Sequence, residues 1–202
     1  TKRGQAGTGG FTYSNNVRFD QTRNKPELQQ VYGPTAVAGD LLGSFFYFGN
    51  PYPAGTKFYD NIDGFFKHAV SQQHNLTFSG ATNAHRINYR LGLGLTDQTS
   101  VIPNVGLNRV NLTGATQAQI NSWLKVDLSM AFTQSANQGI VGGVNGPLMG
   151  LLMWPQTDKA SDYLTASGGR RRITQLAATS EIDNPWFSVN KNEREEDRKS
   201  GV

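Results

Sequence analysis

At 202 residues the chain is long enough for one or two ordinary domains, and its 37% hydrophobic content is modest. It has no cysteine, which excludes disulfides, thiolate metal sites and a lipidated N-terminal Cys. The net charge of +4 is small for the length, and the densest basic run, Arg170 to Arg172, follows two glycines, which points to a loop and away from nucleic-acid binding.

The ends, Thr1 without a Met start and a mixed-charge stretch from Asn192 to Val202, read as those of a piece of a longer protein. A first strand is expected over about Gly10 to Asp20, where Phe11, Tyr13, Val17 and Phe19 face away from Thr12, Ser14, Asn16, Arg18 and Asp20. Asn15 is its one interruption. A long connection rich in Gly, Pro and aromatics, about 21–72, leads to a second, weaker strand marked by Leu76, Phe78 and Gly80. The third is the clearest: Ile87, Tyr89, Leu91, Leu93 and Leu95 alternate with Arg86, Asn88, Arg90, Gly92, Gly94 and Thr96. A fourth carries Val110, Leu112 and Gly114, and a fifth alternates Leu124, Val126, Leu128, Met130 and Phe132 with Lys125, Asp127, Ser129, Ala131 and Thr133. A second long segment, about 135–197, follows.

Long and short links therefore alternate, with the short ones on one side. Outer-membrane barrels have this pattern of short turns and long loops. No run approaches the roughly 18 apolar residues of a membrane helix. The mean hydropathy of −0.48 does not weigh against barrel strands, whose polar face dilutes the signal. The expectation is an all-β fold: an antiparallel transmembrane β-barrel segment of about five strands with long extracellular loops.

Several short blocks, in order, carry a family resemblance. They are Thr1-Lys2-Arg3-Gly4, Asp60-Asn61-Ile62-Asp63-Gly64-Phe65-Phe66, His74-Asn75-Leu76-Thr77-Phe78-Ser79-Gly80 and Asn88-Tyr89-Arg90-Leu91. Ile102-Pro103-Asn104, Asn108-Arg109-Val110-Asn111-Leu112, Asp183-Asn184-Pro185-Trp186 and Arg198 follow. Together they resemble the SusC/RagA-type TonB-linked outer-membrane transporters. The resemblance implies the end of a plug and a linker at 1–8 and the N-terminal portion of a receptor barrel at 9–202. It implies a nutrient importer of glycan or peptide fragments in the cell outer membrane, surrounded by outer-membrane lipid. It also implies a SusD-type lipoprotein partner, and TonB engaged through a region outside this chain. No cofactor and no enzymatic activity are implied.

The residues themselves offer candidate roles. Flat rings stack on sugar faces, so the loop aromatics Phe45, Phe46, Tyr47, Phe48 and Tyr52 are candidate substrate contacts, although such rings also serve to fold a loop onto itself. Arg86, Asn88, Arg90, Lys125 and Asp127 are expected to face the lumen, since lipid offers polar groups no partner. Ser122-Trp123-Leu124-Lys125 fits the S-x-x-K spacing of a Ser-Lys hydrolase, but opens a strand where that chemistry needs a helix. His68 and His74 have no third ligand at a defined spacing. The alternative to the importer is a soluble carbohydrate-binding β-sandwich module, which buries the Ile87 to Leu95 face against a second sheet.

Overall fold

The structure, a computed structural model, describes residues 9–35, 46–82, 86–139, 146–172, 183–191 and 194–201. Six strands follow in chain order: β1 (Gly10–Asp20), β2 (Ala69–Ala81), β3 (Ile87–Thr99), β4 (Gly106–Gln119), β5 (Lys125–Gly139) and β6 (Arg194–Gly201). Two short helices, α1 (Pro147–Met153) and α2 (Pro185–Lys191), lie between β5 and β6. The strands form one antiparallel sheet in the order β1-β2-β3-β4-β5-β6.

Register turns the period-two patterns into continuous rows. Phe11, Phe78, Leu91, Gly114 and Met130 line up across five strands. The neighbouring row runs Tyr13, Leu76, Leu93, Leu112 and Phe132. Side chains alternate sides along each strand, so both rows share one apolar face. The opposite face carries Asn75, Gly94, Asn111 and Thr133 in one row, where the Thr133 hydroxyl donates to Asn111 Oδ1 at 3.0 Å.

Among the described residues the sheet does not close, and this overturns the transmembrane-barrel expectation. Among the described residues β1 pairs only with β2 and β6 only with β5, leaving the two outer edges without ladder partners. Unpaired backbone N–H and C=O groups along an open edge have nothing to bond in hydrocarbon, so an open sheet cannot span a bilayer as it stands. The importer function and the outer-membrane location, which the resemblance implied together with that barrel, are overturned by the same open sheet. No described helix is long and apolar enough to cross a membrane. The β-sandwich geometry is not formed either, because the described strands make a single sheet. The apolar face is uncovered, with Leu128 64% and Met130 52% exposed. Residues 1–8, expected as the end of a plug, lie outside the described residues.

Tight turns close one end of the sheet. At the β4–β5 turn, Asn121 Oδ1 accepts the N–H groups of Trp123 and Leu124, at 3.1 and 2.7 Å, an Asx turn that reverses the chain. The described parts of the long connections gather at the other end and form a layer with its own core. Ile62, Phe65, Leu151 and Val189 are buried there, with Leu28, Phe66, Ile102, Leu152 and Trp186 packed against them. The β3–β4 turn is tied to this layer: Asn104, at a left-handed φ of 57°, donates to Val189 O and Asn190 Oδ1, both at 3.0 Å.

Helix α1 begins at Pro147, whose fixed φ suits the first helical position, and stops at Trp154, which Pro155 follows. Gly150 marks the point where this helix meets the chain entering α2, since a Cβ there would lie 2.7 Å from Asp183 O. Helix propensity alone favours Gly150→Ala by about 1 kcal/mol. The obstructing atom is backbone, and overpacking of this kind costs about 1 to 3 kcal/mol. Gly150→Ala should therefore destabilise the protein in chemical denaturation despite the better helix former; a gain in stability would show that the two segments separate freely.

Candidate functional site

An open groove of about 480 Å³ runs along the loop layer, lined by Lys25, Pro26, Glu27, Leu28, Gln30, Tyr59, Asp60, Asn61, Ile62, Asp63 and Gln156. The volume is in the range of small-ligand sites. Its parts come from three distant stretches of chain held by hydrogen bonds. Gln30 Nε2 donates to Gln156 Oε1 at 3.1 Å, and Gln156 Nε2 donates to Gln29 O at 2.8 Å. Tyr59 N–H donates to Gln156 O at 2.7 Å. Buried Asn61 donates to Asp158 O and accepts from Ala160 N–H, both at 2.9 Å, and so fixes the back of the groove.

Its electrostatics are uneven. Lys25 Nζ donates to Asp63 Oδ1, and this bond and charge hold the Asp63 carboxyl below its usual range. Asp60 Oδ1 accepts the Asp63 N–H at 2.9 Å. Glu27 has no hydrogen-bond or ion-pair partner among the described residues. Lys57 Nζ lies 4.9 Å from the centre of the Tyr59 ring, a cation–π contact at the rim.

The expected aromatic cluster divides. An arm bridged at Tyr32 and Pro51, with Gly33 N–H donating to Asn50 O at 2.9 Å, carries residues 46–48 beside the groove. Tyr47 turns inward and donates its hydroxyl to Met153 O at 2.8 Å, while burial, with Tyr52 beside it, pushes its pKa well above the ordinary phenol value. Phe46 and Phe48 turn outward, 53% and 82% exposed. Tyr52 packs edge-on against Phe58, with ring centres 5.1 Å apart. Phe45 lies outside the described residues. None of the four described rings, Phe46, Tyr47, Phe48 and Tyr52, lines the groove.

Arg86 precedes β3, and Asn88 and Arg90 lie on the polar face of that strand with Lys125 and Asp127 on the same face of β5. Gln117 Nε2 donates to Asp127 Oδ1 there. With the sheet open, that face encloses no lumen among the described residues. Ser122 sits in the β4–β5 turn and Lys125 opens β5, so the S-x-x-K pair is not on a helix. His74 Nδ1 is met by the Tyr13 hydroxyl at 2.7 Å and by Asn15 Nδ2 at 2.9 Å, on the apolar face of the sheet. Among the described residues no group of three His, Cys, Asp or Glu side chains could hold a metal. A second depression, about 590 Å³, lies on the apolar face above Gly114, between Leu91 and Met130. Its lining is almost wholly apolar, so it lacks the convergent polar groups that orient a ligand.

Sequence reasoning placed Asp60, Asn61, Ile62 and Asp63 in a family block but not in a groove. It passed over Lys25, Glu27, Gln30, Tyr59 and Gln156. Gln30 and Gln156 are 126 positions apart, and no local pattern joins them.

Solved structures of the RagAB peptide importer share this architecture. In the closed-closed state the TM-score is 0.58 at 16% identity, over 93% of this chain and 25% of that one. In the open-open state the values are 0.57 and 17%, over 93% and 24%. The likeness is one of fold. It is distant, and the chain spans about a quarter of the importer chains it matches. No family model matches the chain. No curated protein matches it either.

Proposed function

We propose that the chain is a carbohydrate-binding β-domain without enzymatic activity, which holds a short oligosaccharide in the loop-layer groove. One observation carries this reading: amide and carboxylate side chains (Gln30, Glu27, Asp60) converge on a groove that also presents the Tyr59 ring and the apolar Leu28 and Ile62. A sugar offers hydroxyls that both donate and accept, and C–H faces that lie flat on a ring; this lining supplies partners for both.

Tyr59→Ala should weaken binding of a bound tetrasaccharide about tenfold, since it removes the one aromatic wall. Isothermal titration against a panel of oligosaccharides measures this. The reading fails if no member of the panel binds, or if Tyr59→Ala binds as well as the parent chain.

The fold likeness favours a second reading, in which the ligand is a peptide and a partner protein of the SusD type lies on the exposed Phe46 and Phe48 of the arm. Titration with short peptides in the same format separates the two.

A further inference from the structure

We infer that the open edge of β1 pairs with the same edge of a second copy of this chain, antiparallel across a two-fold axis at Asn15. Among the described residues this edge has no ladder partner, and every residue from Phe11 to Phe19 is exposed. Edge strands are commonly protected by proline, lysine or charge. β6 follows that rule with Glu196, Asp197, Arg198 and Lys199. β1 does not. Its 11 residues include no Pro and no Lys, and its two charges, Arg18 and Asp20, bond each other at 2.9 Å.

The sequence of β1 is the second observation. A two-fold axis makes residue i meet j and j meet i, so a strand that pairs with its own copy must read alike in both directions. Centred on Asn15, β1 does: Phe11 meets the partner's Phe19, Tyr13 meets the partner's Val17, and Asn15 meets its own counterpart, amide to amide. On the polar face Thr12 meets the partner's Arg18 and Ser14 the partner's Asn16, so no like charges are opposed. All 11 residues pair in this register. A slip of two residues sets Asn15 against an apolar partner, and a slip of one opposes the apolar face to the polar one. Gly10 lies at the tight-turn end of the sheet and Asp20 leads into the loop layer. The copies run in opposite directions, so each loop layer sits beside the partner's tight turns and the two layers do not compete for space.

The chain has no cysteine, so a single introduced one reports the register. Asn15→Cys sets two thiols opposite each other, within disulfide reach, and mild oxidation should give a covalent dimer. Phe19→Cys should not link to its own copy, which lies about 27 Å further along the strand, yet should link when mixed with Phe11→Cys. In sedimentation velocity the parent chain should show a concentration-dependent monomer–dimer equilibrium. Asn15→Lys, which opposes two ammonium groups on the axis, should weaken it about fivefold with the far-UV circular dichroism unchanged. Should that variant lose its dichroism, the cysteine pairs decide alone. A parent chain that stays monomeric overturns the inference, as does a dimer that a folded Asn15→Lys leaves unweakened. So does linkage of Phe19→Cys alone as readily as Asn15→Cys, the result expected if the copies stack through their apolar faces.

Discussion

Replacing Asn184 by Ala should lower the unfolding free energy by about 3 kcal/mol. The side chain is fully buried and serves two elements at once. Its Oδ1 accepts the N–H groups of Trp186 and Phe187, at 2.9 and 3.2 Å, and so caps the first turn of α2. Its Nδ2 donates to the carbonyl of Ala160 at 3.0 Å, a residue itself fully buried. Losing the cap costs about 1 kcal/mol. Leaving the Ala160 carbonyl unsatisfied in the interior costs about 1 to 3 kcal/mol more. Asn184→Ser, which retains a capping oxygen but cannot reach as far, should recover about 1 kcal/mol of the loss. Urea denaturation of the three proteins decides the matter, and a loss under about 0.5 kcal/mol, the size of an ordinary surface change, would show that the site is not buried as described.

Phe65→Ala should cost about 4 kcal/mol, the larger effect. Phe65 is 1% exposed and stands at the centre of the loop-layer core. Its ring meets Phe66 and Trp186 edge-on, with centres 5.4 and 5.2 Å apart. Such pairs add about 0.5 to 1.5 kcal/mol beyond the area they bury. Tryptophan fluorescence reports this layer well, since Trp154 is buried within it and Trp186 packs on its core. Trp123 stands 80% exposed in the β4–β5 turn at the far end, so the measurement is best made on a Trp123→Phe background. An unchanged transition midpoint would mean that the layer does not depend on this ring.

Strand positions were largely legible because β1 to β5 each carry apolar residues on one face. β1 spans the expected Gly10 to Asp20, and β3 starts and ends within a few residues of the expected limits. The alternation fails where both faces are polar. β5 runs on through Thr133 to Gly139, and the strand it pairs with there, β6, is charged through Glu196, Asp197, Arg198 and Lys199. Neither stretch has an amphipathic period, so periodicity hid the sixth strand; only the resemblance at Arg198 pointed to it, and its start was assigned to a loop. Period-two patterning shows that a sheet has an apolar face; it carries no information on whether the outer strands find each other, and closure was misjudged for that reason. The aromatic run at 45–52 announced itself by composition, but only the arm's hydrogen bonds turn Tyr47 inward and Phe46 and Phe48 outward. The groove could not be read at all, because its walls meet through contacts between remote segments.

The unequal connections also set a sequence of events in time. Strands β2 and β3 are joined by residues 82–86, and β4 and β5 by 120–124, so each hairpin can form on the scale of microseconds. β1 reaches β2 only after the chain 21–68 has been gathered, and β6 reaches β5 only across 140–193. Closing loops of that length before any contact rewards it slows the search. The flanking strands are then the last to dock, and the earliest sheet is the four-stranded centre. In pulse-labelled hydrogen exchange during refolding, amides of β3 and β4 should gain protection ahead of those of β1 and β6. Simultaneous protection of all six strands would mean that the loop layer nucleates first and draws the flanks in with it.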